Sequence, residues 1–172
     1  MAQTTRQTNG VDLERVRAVK TRIGEDEETA RPRFAARVTW LGGYRTESLL
    51  GGHTIVRGDE PTAYAGEDTG PSPEDMLLAA VGQCLSVGYA GSLAARDIPI
   101  QRLEITVSGR VDFRVAYGLA EGNPGFDRIE VEVDLQADAP REVLEAVHER
   151  VLREAPIPNT VSRPVELDAR LV

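Results

Sequence analysis

Cys84 is the only cysteine in this 172-residue chain and its most nucleophilic side chain. A thiol attacks as the thiolate, so a reactive cysteine needs a cation or a helix N-terminus to lower its pKa. The chain around it supplies no cation before Arg96. An activating charge must therefore come from elsewhere in the fold, and the candidate is Arg45, which follows Gly42-Gly43-Tyr44. Glu74, ten residues before Cys84, is the carboxylate that could hold that arginine in a bidentate pair. Each residue also has a plainer reading. A lone cysteine packs as a small hydrophobe, a hairpin arginine is commonly solvated, and an acid in the first turn of a helix complements its dipole. Two histidines complete the inventory. His53 follows Gly51-Gly52 and His148 borders an apolar stripe, and both read as surface or boundary residues. Cys84, His53 and His148 show no metal-ligand spacing, so no metal is expected, and one cysteine excludes an internal disulfide.

Cys84 lies in the long apolar stretch Met76–Ala95, twenty residues without a formal charge. That is the length of a bilayer span. Gly82, Gln83, Ser86, Gly88, Gly91 and Ser92 weaken insertion, however, and the amphipathic strands elsewhere need a core. A helix buried inside the protein is the expectation, with no membrane and a cytoplasmic location. Ser72-Pro73-Glu74-Asp75 opens it: Ser72 caps, Pro73 fits the first helical position, and Asp75 stands where a capping-box acid would. The helix should run to about Arg96, with a break or kink near Gly82.

The flanking segments alternate. Phe34, Ala36, Val38 and Trp40 mark a strand, Gly42-Gly43 a turn, Tyr44–Leu50 the returning strand, and His53–Arg57 a third. Further strands are expected at Leu103–Phe113, bent at Gly109, and at Phe126–Leu135. Residues 165–171 read as a last strand. A helix is expected over Ala139–Glu154, capped by Asp138 and stopped by Pro156 and Pro158. At the N-terminus, residues 1–10 read as a tail without a signal peptide, followed by an amphipathic helix on Val11, Leu13, Val16, Val19 and Ile23. The acidic run Glu25–Glu28 reads as a solvated loop. Clustered strands with few alternating helices give an α+β fold, mainly antiparallel.

Composition narrows the function. With 20 Lys+Arg against 28 Asp+Glu, the net charge is −8 and the arginines are dispersed, which argues against nucleic-acid binding. No Gly-rich phosphate loop or dinucleotide fingerprint follows a strand, so no cofactor is expected.

The stretch Gly70-Pro71-Ser72-Pro73-Glu74-Asp75-Met76-Leu77-Leu78-Ala79-Ala80-Val81-Gly82-Gln83-Cys84 resembles the core of the osmotically inducible protein C and organic hydroperoxide resistance (OsmC/Ohr) family. Trp40-Leu41-Gly42-Gly43-Tyr44-Arg45 is similar to its Gly-Gly-Arg hairpin, and Ala94-Ala95-Arg96-Asp97-Ile98 to the end of its central helix. The resemblance divides the chain into an N-terminal tail and helix, residues 1–32, and an OsmC-like domain, residues 33–172. It implies an intertwined homodimer built around long central helices, with reduction of organic hydroperoxides by a cysteine thiolate. On this sequence the attacking cysteine is Cys84, the supporting arginine Arg45 and the carboxylate Glu74. Ala155-Pro156 stands where the family's late Cys-Pro motif falls, so the resolving cysteine is replaced by Ala155. A peroxidase of this kind would use an external thiol as reductant. The alternatives are a non-catalytic protein that binds a small hydrophobic ligand and a redox sensor.

Overall fold

The computed structural model describes residues 7–172. In chain order the elements are α1 (Leu13–Glu25), α2 (Glu27–Ala30), β1 (Ala36–Gly42), β2 (Arg45–Leu50), β3 (Thr54–Gly58), a 3-10 turn (Thr62–Tyr64), α3 (Pro73–Ala94), β4 (Ile100–Val111), α4 (Phe113–Ala116), β5 (Phe126–Ala137), α5 (Arg141–Glu154) and α6 (Pro156–Val161). They form two compact units. One is Glu14–Leu77, and the other joins the described residues up to Leu13 with Leu78–Val172.

The first unit carries a three-stranded antiparallel sheet in the order β1-β2-β3. Ala36 pairs with Leu50 and Trp40 with Thr46, and the register then slips before Gly42 pairs with Arg45. Gly42 and Gly43 have φ of 103° and 60°, a left-handed pair that a side chain would strain. The Trp40 indole N–H donates to the Gly43 carbonyl at 2.9 Å and staples the turn. This hairpin makes Arg45 the first residue of β2.

In the second unit β4 and β5 form a two-stranded antiparallel ribbon. Its register sets Leu103 opposite Leu135, Ile105 opposite Val133 and Val107 opposite Val131. One face of the ribbon is therefore continuous hydrocarbon. The ribbon bends where the register slips between Gly109 and Val111, close to the expected bend. From Leu78 onward α3 lays Val81, Leu85, Tyr89 and Leu93, spaced four apart, into the core with Val147 and Val151 of α5. Helix α3 has the length and hydropathy to cross a bilayer; here that same apolar face is the core of the unit.

Several sequence expectations change. Residues 1–6 lie outside the described residues, but the chain just after them is tied down. Thr8 is buried and its hydroxyl donates to Asp97 Oδ1 at 2.5 Å. The Asn9 amide donates to the Ile98 carbonyl at 3.0 Å and accepts from the Ile100 N–H at 2.8 Å. Helix α1 runs on to Glu25 and α2 takes in Glu27 and Glu28, so the run expected as loop is largely helical, and Phe113, expected at a strand end, opens α4, capped by Asp112, whose carboxylate accepts from the Arg114 N–H. Helix α5 begins at Arg141 after Pro140, without a side-chain cap from Asp138. Residues 164–172 form no strand.

Candidate active site

Helix α3 starts as its residue types require. The Asp75 N–H donates to Ser72 Oγ at 3.1 Å and the Ser72 N–H donates to Asp75 Oδ2 at 3.2 Å, a reciprocal capping box. Glu74 lies in that first turn, half-buried. It belongs to a crowded set of acids. Burial pushes the Glu60 carboxyl above its ordinary range, and the negative charges of Glu74, Asp59 and Asp75 push it further.

Arg45, in the same unit, is exposed and meets a different carboxylate. Its Nη1 donates to Glu67 Oε2 at 3.3 Å. Glu67 is held in turn by its backbone, since its N–H donates to Asp59 Oδ2 at 3.1 Å. No sequence signal marks Glu67, because the acidic stretch 58–71 shows no periodicity that singles out one carboxylate.

Cys84 lies in the second unit, ten residues into the chain beyond Glu74. It is half-buried and packs against the core cluster while lining an open cleft of about 650 Å³. The cleft runs between α3 and the α5–α6 corner. Ala80, Val87, Gly88, Val151, Ala155 and Ile157 give it apolar walls. Among the described residues that line it, Glu154 alone carries a formal charge. Its carboxylate accepts from Arg150 Nε at 3.0 Å and lies 3.6 Å from Arg153 Nη2. The hydrogen bond from Arg150 holds the Glu154 carboxyl below its ordinary range and outweighs partial desolvation. The charges of Arg150 and Arg153 act in the same sense. Glu154 also escaped the sequence reading, although it stands one residue before Ala155 and four after Arg150.

The α5–α6 corner is shaped by Ala155. It is at once the last cap of α5 and the first cap of α6, with extended φ −74° and ψ 118°. Pro156 fits the opening turn of a new helix, so it starts α6 as well as ending α5. The Asn159 amide donates to the carbonyls of Leu152 at 3.0 Å and Ala155 at 2.8 Å, which satisfies the end of α5. Ala155 and Cys84 consequently line one cleft.

Neither histidine is among the described residues that line this cleft. His53 Nδ1 bonds the Gly51 carbonyl at 2.8 Å. His148 Nδ1 is hydrogen-bonded to the hydroxyl of Tyr89, a fully buried ring whose pKa burial raises. Among the described residues no cluster of three His, Cys, Asp or Glu is placed to hold a metal ion.

The family model for OsmC-like protein matches residues 66–170. The chain belongs to the OsmC-like family. Solved structures agree in fold. An OsmC-like protein from Mycoplasma pneumoniae superposes with a TM-score of 0.65 at 15% identity, over 76% of this chain and 88% of that one. An organic hydroperoxide resistance protein OsmC from Legionella pneumophila gives 0.55 at 16%, over 76% and 89%. An organic hydroperoxide resistance protein from Elizabethkingia anophelis gives 0.57 at 18%, over 76% and 89%. A search of the curated proteins finds no match. At these identities the likeness carries the fold: α+β, antiparallel, built around the helix that bears Cys84.

Proposed function

We propose that this OsmC-like protein reduces organic hydroperoxides with Cys84 as its single reactive cysteine and a soluble thiol as reductant. The observation that carries the reading is the placement of the one cysteine in an open, apolar-walled cleft. An organic peroxide needs such walls for its hydrocarbon and a thiolate at their edge. The Cys84 thiolate attacks the distal, hydrogen-bearing oxygen of ROOH. The S–O bond forms as the O–O bond breaks, and the alkoxide leaves as ROH after taking a proton. Cys84 becomes a sulfenic acid. With Ala155 in the cleft, the next thiol comes from solution. It attacks the sulfenic sulfur and expels water to leave a mixed disulfide. A second thiol then releases Cys84 and carries away the disulfide of the reductant.

In this reading Arg45 stabilises the thiolate and Glu74 orients the arginine, within the OsmC-like domain of residues 33–172. The acting form is a homodimer. The location is the cytoplasm, where soluble thiols are kept reduced.

The Cys84→Ser variant is expected to lose thiol-dependent consumption of cumene hydroperoxide. Undiminished consumption would end the proposal. The pH dependence of Cys84 alkylation tests the activating charge. Arg45→Ala should raise the apparent thiol pKa by about 1 unit. One observation favours a second reading: the described residues lining the cleft include no cation. In that reading the cleft holds a small apolar ligand and Cys84 only packs. A wild-type thiol pKa near the unperturbed ~8.5, unchanged by Arg45→Ala, would select it.

A further inference from the structure

Among the described residues that line it, the Cys84 cleft has apolar walls and one formal charge, and that charge is negative. Glu154 is fixed there, because Arg150 Nε donates to both carboxylate oxygens, at 3.1 and 3.0 Å, from one helical turn earlier on α5. The guanidinium is thereby committed to the carboxylate. Arg150 and Arg153 are not among the residues that line the cleft. A molecule entering to reach Cys84 meets Glu154 as the one charged side chain among the described residues that line the cleft. Like charges brought together at a partly desolvated wall repel, while a neutral molecule of the same shape meets no such term.

We infer that Glu154 is a specificity-determining residue that makes the cleft select neutral, apolar partners of Cys84 over anionic ones. The favoured hydroperoxide is then an uncharged alkyl or aryl hydroperoxide, and the disfavoured one carries a carboxylate near its peroxide end. The same rule applies to the recycling thiol, so a neutral or cationic thiol should outpace an anionic one.

The inference rests on Cys84 being the reacting atom of the proposed function, and its first test does not need peroxidase activity. Iodoacetamide and iodoacetate alkylate the same sulfur and differ by a charge. In the full-length protein, Glu154→Gln is expected to raise the iodoacetate-to-iodoacetamide rate ratio about two- to fivefold, the range of a partly exposed charge interaction. Arg150→Gln should lower that ratio, because it removes the compensating cation, and Glu154→Asp should keep the wild-type value. The spread among variants should shrink in high salt. A merely structural Glu154 would change both reagents equally. A ratio unmoved or lowered by Glu154→Gln overturns the inference.

Peroxide kinetics separate it from the broader reading. If cumene hydroperoxide is consumed through Cys84 and Glu154→Gln does not improve kcat/KM for 4-carboxycumene hydroperoxide relative to it, the charge rule alone falls. If wild type consumes neither peroxide, the peroxidase reading falls, and the alkylation ratio still decides whether Glu154 screens the cleft.

Discussion

A carboxylate sealed from water stays ionised only where donors replace its hydration shell, and Asp59 has four of them. It is 2% exposed. Its oxygens accept from the Glu60 N–H at 2.8 Å, the Glu67 N–H at 3.1 Å, the Thr69 N–H at 3.2 Å and the Thr69 hydroxyl at 2.8 Å. Burial alone would raise its pKa; the Thr69 hydroxyl and amide, with the Glu60 and Glu67 amides, outweigh it, so the carboxyl lies below its ordinary value. A depressed carboxylate stabilises the fold above its unfolded pKa, and that stability is lost as pH falls through the folded value. Wild type should therefore lose stability between the ordinary carboxylate pKa of about 4 and the lower folded value. Asp59→Asn turns one oxygen into a donor that faces donors. It should lower the urea midpoint at neutral pH and flatten the acid limb of midpoint against pH. Parallel curves for the two proteins would remove Asp59 from the account. The same substitution should loosen Glu67, whose amide Asp59 holds, and with it the carboxylate that now restrains Arg45. None of this is legible in the sequence, where Asp59 is one acid among several in a loop. Cys84 stands out in the sequence as the lone sulfur nucleophile, whereas Ala155 is singled out only by the resemblance to the family's Cys-Pro motif.

At the scale of elements, the cleft depends on how closely α3 approaches α5. A Cβ at Gly88 would stand 2.9 Å from Cγ1 of Val151, closer than carbon atoms pack, and Val151 is β-branched and stiff. Gly88→Ala gains about 1 kcal/mol of helix propensity and meets overpacking of about 1–3 kcal/mol. The net expectation is a loss of about 1 kcal/mol, read as a lower denaturation midpoint. Adding Val151→Ala should relieve the clash, so the double variant should be more stable than the sum of the single effects. Additive losses would show that the two helices do not meet there. Elements with local signals were legible. The Ser72–Asp75 box starts α3 within one residue of expectation, and period-two runs located β1, β2, β4 and β5. Misreadings came where one local rule overrode another. Asp138 reads as a cap, yet the residue before a proline is driven from helical geometry, so Ala139 cannot join and α5 waits for Pro140. Pro156 does stop α5 at Glu154 as expected, and the same proline also opens α6, which no local signal announced.

At the scale of the whole molecule, apolar surface is left without a partner in either unit. The sheet of the first unit exposes Val38, Trp40 and Ile55, and α3 in the second exposes Val87 at 74%. Leu167 at 89% and Leu171 alternate with polar residues at the C-terminus, where a strand was expected. An alternating pattern forms a strand only when its N–H and C=O groups find a neighbour, and a pattern cannot say on which chain that neighbour lies. In the proposed homodimer a second copy would supply one, covering Val87 and offering a sheet edge to residues 165–171. The protein is then expected to sediment at twice 18.7 kDa at micromolar concentration. Val87→Glu would bury a charge in that contact and should shift the protein toward monomer. Deleting residues 164–172 should weaken the dimer and lower its thermal midpoint, with the midpoint becoming more dependent on protein concentration. Cys84 alkylation reads the consequence for chemistry, because a site that needs the dimer should lose its thiolate reactivity as deletion of residues 164–172, none of which lines the Cys84 cleft, dissociates it. A wild-type protein that sediments at 18.7 kDa, melts in one concentration-independent step and keeps a reactive thiol would show that one copy suffices.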